Sequence, residues 1–164
     1  MLFRSVKKGC NTFAVDGRGN ILINLGFANS LSDEQLVGVL AHEAMHIWLE
    51  HHARMRGQTP FDFVNISMDA FINNDLHADG FELPKQGVQA SSGHLYVTAL
   101  YVERVVPEIN LAKPALINLA LPLHGENWES LFEQLVKKLT IPAEARKLRT
   151  FHFCLQNCIE GVTA

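Results

Sequence analysis

The sequence is poor in cysteine, tyrosine, tryptophan and net charge. Three cysteines, Cys10, Cys154 and Cys158, stand in 164 residues. Their number is odd, and the pair four apart on a predicted helix is badly spaced for a bridge. A disulfide framework does not fit, and reduced thiols in a cytoplasmic protein are the expectation. Cys154 and Cys158 with His152 lack a second cysteine pair to close a zinc cage and are read as core residues. A net charge of −3 leaves no basic footprint for nucleic acid. Lys137, Lys138, Arg146, Lys147 and Arg149 read as solvated helix faces. Met1 to Gly9 carry no secretory signal, and the apolar stretch from Leu95 to Leu123 is interrupted by Glu103, Arg104, Pro107 and Pro114. Neither segment reads as a membrane span.

What is present suits one compact domain over residues 1–164, since 48% of the residues are apolar. Thr12 to Val15, the turn Asp16-Gly17-Arg18-Gly19-Asn20 and Ile21 to Leu25 predict a β-hairpin. Ser32 and Gln35 have capping-box spacing, so a first helix is predicted over about 32–56, apolar nearly all round and stopped at Gly57. Thr59-Pro60 opens a second helix over about 60–77. A loop follows to about Gly93, then a third helix from Tyr96 to Val106, ended by Pro107. Residues 108–125 show no clear pattern. Trp128 to Leu139 and Ala143 to Glu160 have helical apolar spacing, so the part after about residue 91 is expected to be helical. The class is α+β, mostly helical with a small N-terminal sheet.

The string that carries chemistry is His42-Glu43-Ala44-Met45-His46. Two histidines four apart share one helix face and can hold one zinc ion, with Glu43 placed as a general base for the attacking water. Even with eight histidines in the chain, chance produces such a string on the order of one per cent of the time. Buried side by side, two imidazoles and a glutamate are costly unless something binds them, and a metal is the simplest partner.

Two histidines hold zinc weakly, so a third ligand is needed, with one position left open. Asp69 is the strongest candidate, because Ile66, Met68, Ala70, Phe71 and Ile72 surround it and a carboxylate there needs a cationic partner. Asp75, His77, Asp79 and Glu82 are rivals that follow the apolar part of the helix. Asn65 and Asn73 lie four residues either side of Asp69 and read either as hydrogen-bonders to the ligands or as helix-to-loop links. On a regular helix His51 points about 180° from His42 and His52 about 80° from it, so neither is a ligand. His51 reads as a packing or hydrogen-bonding residue near the helix end, and Glu50 either orients an imidazole or is exposed.

With Asn65-Ile66-Ser67-Met68-Asp69-Ala70-Phe71-Ile72-Asn73-Asn74-Asp75-Leu76, Leu83-Pro84, and the upstream Ala14-Val15-Asp16-Gly17, Ile23-Asn24 and Leu31, the His42–His46 string resembles the metallopeptidase-type domain that accompanies VWA-like domains in bacteria and phages. The resemblance covers about residues 10–90 and includes His51 and Arg54. It implies a zincin-like fold, in which an edge strand lies beside the active-site helix and a second helix brings Asp69 to the metal.

The expected function is zinc-dependent hydrolysis of peptide bonds, with His42, His46 and Asp69 holding Zn2+ and Glu43 as the base. An extended peptide is expected to add as a strand along Ile21 to Leu25, and His94, Tyr96 and Tyr101 are considered as oxyanion donors beside their plainer reading as packing residues. The alternative is a non-catalytic, zinc-stabilised interaction module whose C-terminal helices bind a protein partner. A hydrolase of non-peptide amides would use the same residues.

Overall fold

The computed structural model describes residues 3–5, 11–58, 61–98, 118–124 and 127–138. The predicted helix over 143–160, all three cysteines, His152 and Tyr101 lie outside them. The described residues form an α+β structure. Its first sheet has the order β1-β3-β2, built from β1 (Phe3–Ser5), β2 (Phe13–Val15) and β3 (Ile21–Ile23). The predicted hairpin is β2 and β3, paired antiparallel with Ala14 opposite Leu22. Asp16 ties its turn, accepting at 2.9 Å from the backbone N–H groups of Arg18 and Asn20. Gly19 there has φ +76°, open to glycine at no steric cost. β1 pairs in parallel with the other edge of β3. β3 is therefore the central strand, and the expectation that a peptide adds along Ile21 to Leu25 is corrected: both sides of that strand are already paired.

After a single turn, α1 (Leu25–Ala28), capped by the Asn24 side chain, comes α2 (Asp33–Trp48). Its start is the predicted capping box. Ser32 Oγ accepts from Gln35 N at 3.2 Å, and Gln35 Oε1 accepts from Ser32 N at 3.3 Å. Its end is not as predicted. The helix stops at Trp48 because Glu50 takes φ 54°, ψ 33°, and the chain restarts as the short α3 (His51–Arg54). A non-glycine residue in that left-handed region costs about 1–2 kcal/mol, and no glycine or asparagine marks the break in the sequence. Nor is α2 buried all round: Val39, Glu43 and His46 face inward, while Val37 and Trp48 are exposed.

α4 (Phe61–Ala78) is buried over most of its circumference. A second sheet of order β4-β5-β6 comprises β4 (Ala90–Ser91), β5 (His94–Thr98) and β6 (Asn118–Pro122), antiparallel throughout. Residues 96–98, predicted to open a helix, belong to β5. Leu95 and Val97 are buried and Tyr96 exposed, an alternation of period two too short to outweigh the helical reading. β6 lies in the stretch that showed no pattern. α5 (Trp128–Lys138) forms as predicted. One apolar cluster joins α4, the second sheet and α5 through Phe63, Met68, Leu95, Leu121, Trp128 and Leu131. Another joins α2 to the first sheet through Phe13, Val15, Ile21 and Val39. α2, which carries part of the second cluster, packs against α4, which carries part of the first. Among the described residues no helix is long and apolar enough to cross a membrane.

The segment after α4 lies directly on α2. A Cβ at Gly38 would collide with the carbonyl oxygen of Glu82 and press on the Leu83 side chain. Alanine at an open helix position is favoured over glycine by roughly 0.5–1 kcal/mol. At Gly38 the sign should reverse: Gly38→Ala is expected to lower stability by about 1–3 kcal/mol, as overpacking does. The shift in urea midpoint checks it.

Candidate metal centre

Three side chains converge between α2 and α4. His42 and His46 face α4 one turn apart, and Asp69 reaches back from the middle of α4; their ligand atoms all lie within 4.8 Å of one another. The two Nε2 atoms are 3.0 Å apart, and Asp69 Oδ1 is 3.2 Å from His46 Nε2 and 3.6 Å from His42 Nε2. That oxygen is buried and, although so close to two ring nitrogens, makes no well-directed hydrogen bond. A tetrahedral ion bound at about 2.0–2.1 Å holds its ligands about 3.3 Å apart. The three separations bracket that value, so the donor set fits a metal ion.

The polar stripe on α4 fixes this arrangement. Asn73 Nδ2 donates to Val88 O at 2.8 Å, which turns its Oδ1 toward His42 Nδ1 at 2.7 Å. His42 must then donate from Nδ1, so in the neutral ring Nε2 presents its lone pair to the site. Asn65 Nδ2 donates to Asp69 Oδ2 at 3.2 Å, leaving Oδ1 for the histidines. Both asparagines thus contact expected ligands. Glu43 is buried and, with His42, His46 and Asp69, lines a cavity of about 460 Å³ whose wall also includes Phe13, Val15 and Met55.

Other residues considered from the sequence lie elsewhere. Asp75, His77, Asp79, Glu82 and Glu50 are exposed. His94 turns back to the Ser92 carbonyl at 3.0 Å, and neither it nor Tyr96 lines the cavity. His52 borders the cavity without joining the three converging groups. His51 is where regular-helix reasoning fails. The break at Glu50 swings it round so that its Nδ1 meets His46 Nδ1 at 3.0 Å. It is 2% exposed, with its ring edge-on to Trp128.

A family model described as Putative metallopeptidase domain matches residues 1–138. The chain belongs to that family. The match runs well past the stretch 10–90 over which the resemblance was read and takes in the second sheet and α5. No curated protein and no solved structure matches the chain.

Charge in this metallopeptidase-domain chain is arranged for a cation. Burial lowers the pKa of His42, but Asp69 beside it, helped by Glu43 and Asn73, raises it to about 9. Burial raises the Asp69 carboxyl, and the His42 and His46 rings more than reverse this, holding it well below the usual carboxylate range. The His51 pKa falls to about 3, first through burial and then through His46 and Arg54, so His51 stays neutral. These shifts fix how the metal-free protein responds to pH. The His42 contribution is complete below pH 6.5 and disappears as pH rises through about 9. The His51 effect has the opposite sign: stability is lost as pH falls from 6.5 toward 3, because only the unfolded chain protonates that ring. The melting temperature of metal-free protein should therefore peak near pH 6.5. Asp69→Asn should flatten the alkaline limb and His51→Phe the acid limb, as a pH series of thermal melts would reveal.

Proposed function

We propose that this protein is a zinc-dependent peptidase of the H-E-x-x-H type with a zincin-like arrangement, acting on peptides in the reducing cytoplasm. The observation that carries the proposal is the convergence of His42, His46 and Asp69 at one point, beside a buried Glu43 on the wall of a cavity. Zinc held there would act as a Lewis acid, activating water and polarising a carbonyl oxygen. Glu43 accepts the proton of the attacking water and delivers it to the leaving nitrogen. Asn73 and Asn65 hold His42 and Asp69 in orientation. The apolar wall of Phe13, Val15, Met55 and Ile66 lowers the polarity around the charged groups and so strengthens their interactions.

An extended substrate is better placed on β2 than on β3. Among the described residues β2 pairs with a strand, β3, on one side only; it packs against α2 and contributes Phe13 to Val15 to the cavity wall. A peptide laid there would bond through its main chain, giving affinity with little side-chain selection. A purely structural zinc would be closed by a fourth protein ligand. Among the described residues no further His, Cys, Asp or Glu joins the three.

Two substitutions separate metal binding from chemistry. Glu43→Gln should keep one equivalent of zinc while peptide cleavage falls about 10²–10⁴-fold, the usual contribution of a general base. Asp69→Ala should weaken zinc by more than the roughly 10–100-fold expected for losing an outer hydrogen-bond partner. Zinc content by elemental analysis and cleavage of a peptide library measure the pair. Full turnover in Glu43→Gln would remove Glu43 as base, and undiminished zinc in Asp69→Ala would remove Asp69 as ligand.

A further inference from the structure

His51 has no role in the reaction as described, yet several features of the fold serve to place it. It lies five residues beyond His46, where a regular helix would carry it about 140° round the axis and away from that ring. The left-handed Glu50 cancels this rotation. Strained backbone at a non-glycine residue is the kind of feature that persists where the surrounding structure over-determines it. The surroundings here do so. Trp128 of α5 stacks edge-on against His51 with centroids 6.4 Å apart, and Arg54, at the end of α3, lies over the same indole at 5.8 Å. Arg54 also makes a two-pronged ion pair with Glu129, each carboxylate oxygen 2.9 Å from Nη2. α3 is thus clamped to α5 on the side away from the metal centre.

Between two imidazole Nδ1 atoms 3.0 Å apart, one must donate and the other accept. If His51 donated, His46 would carry its own proton on Nε2, the atom that faces His42 and Asp69. Such a tautomer cannot ligate a metal through that atom. If His46 donates, its Nε2 lone pair is turned into the site, as Asn73 does for His42.

We infer that His51 is a positioning residue for the metal centre: its Nδ1 accepts a hydrogen bond from His46 Nδ1–H, fixing the tautomer and ring orientation in which His46 Nε2 is a ligand. The inference rests on the metal-site reading above. Each histidine ligand then has its own orienting acceptor, Asn73 Oδ1 from within α4 and His51 Nδ1 from α3.

The test is zinc affinity, measured by competition with a chromophoric chelator, for the parent chain, His51→Phe and His51→Gln. Phenylalanine keeps a ring against Trp128 but cannot accept; glutamine offers an amide oxygen. Expected are a weakening of about 10–100-fold in His51→Phe and recovery of most of that loss in His51→Gln. Melting temperatures of the metal-free variants show whether each is folded. A second measurement needs no substitution: nitrogen-15 NMR of the zinc-loaded parent should find the His46 ring proton on Nδ1, with a nitrogen–nitrogen coupling across the bond to His51. Parent-like zinc affinity in a folded His51→Phe, or a His46 ring without an Nδ1 proton, overturns the role of His51 and leaves the metal site standing. A parent chain that binds no zinc overturns both.

Discussion

A carboxylate held among two imidazoles inside the molecule is the constraint on which the rest of the structure depends. Asp69 sits in a helix whose neighbouring residues are almost all buried, and such a charge is tolerated only with an ionic partner. His42 supplies that partner by holding a proton well above its ordinary pKa. The same three groups form a donor set that fits a divalent ion in place of that proton. The close approach of α2 to α4 follows from it: the groups can meet only where the helices touch, and Gly38 lets the segment after α4 lie against the α2 backbone next to the site.

The polar residues around the site come from elements of opposite character. On α4 they form a stripe, Asn65, Asp69 and Asn73, carried by a helix buried on both sides of it. On α2 they lie on the inward face of a helix whose other face, with Val37 and Trp48, is open. The residues of α3 and the turn after it lie close to the site because the chain breaks at Glu50. A straight helix would have placed His51 and Met55 elsewhere; the break gives His46 a neighbour and gives the cavity part of its wall.

How much of this is legible in the sequence depends on the range of the interactions. The capping box at Ser32 and the hairpin turn at Asp16 are written in a few adjacent residues and are read correctly from them; Thr59 and Pro60, expected to open α4, lie outside the described residues. Asp69 is legible for a different reason, because an acid amid Met68, Ala70, Phe71 and Ile72 violates the local pattern and so advertises a partner. Asn73 is half legible: its spacing puts it on the right face, but nothing local says that Val88 fixes its amide. The end of α2 cannot be read, since Glu50 is an ordinary helix former in a left-handed conformation, and the contacts that hold the following turn come from about 75 residues away. β5 fails for the reverse reason, as five residues of alternation cannot be told from the opening turn of a helix without the strand that pairs with them.

That distance in sequence alters what counts as the site. Residues 10–90 contain every expected ligand and the base, and on that view α5 is only packing. Yet Trp128 and Glu129 hold the turn that carries His51, and Trp128 is also among the most deeply buried side chains of the main apolar cluster. The ring that covers His51, on the far side of that residue from His46, comes from the same helix that pins α3. A shortened chain ending before α5 would keep His42, Glu43, His46 and Asp69 and lose the surface that holds His51 beside His46. The family match, which extends to the last residue of α5, agrees with counting that helix as part of the functional unit.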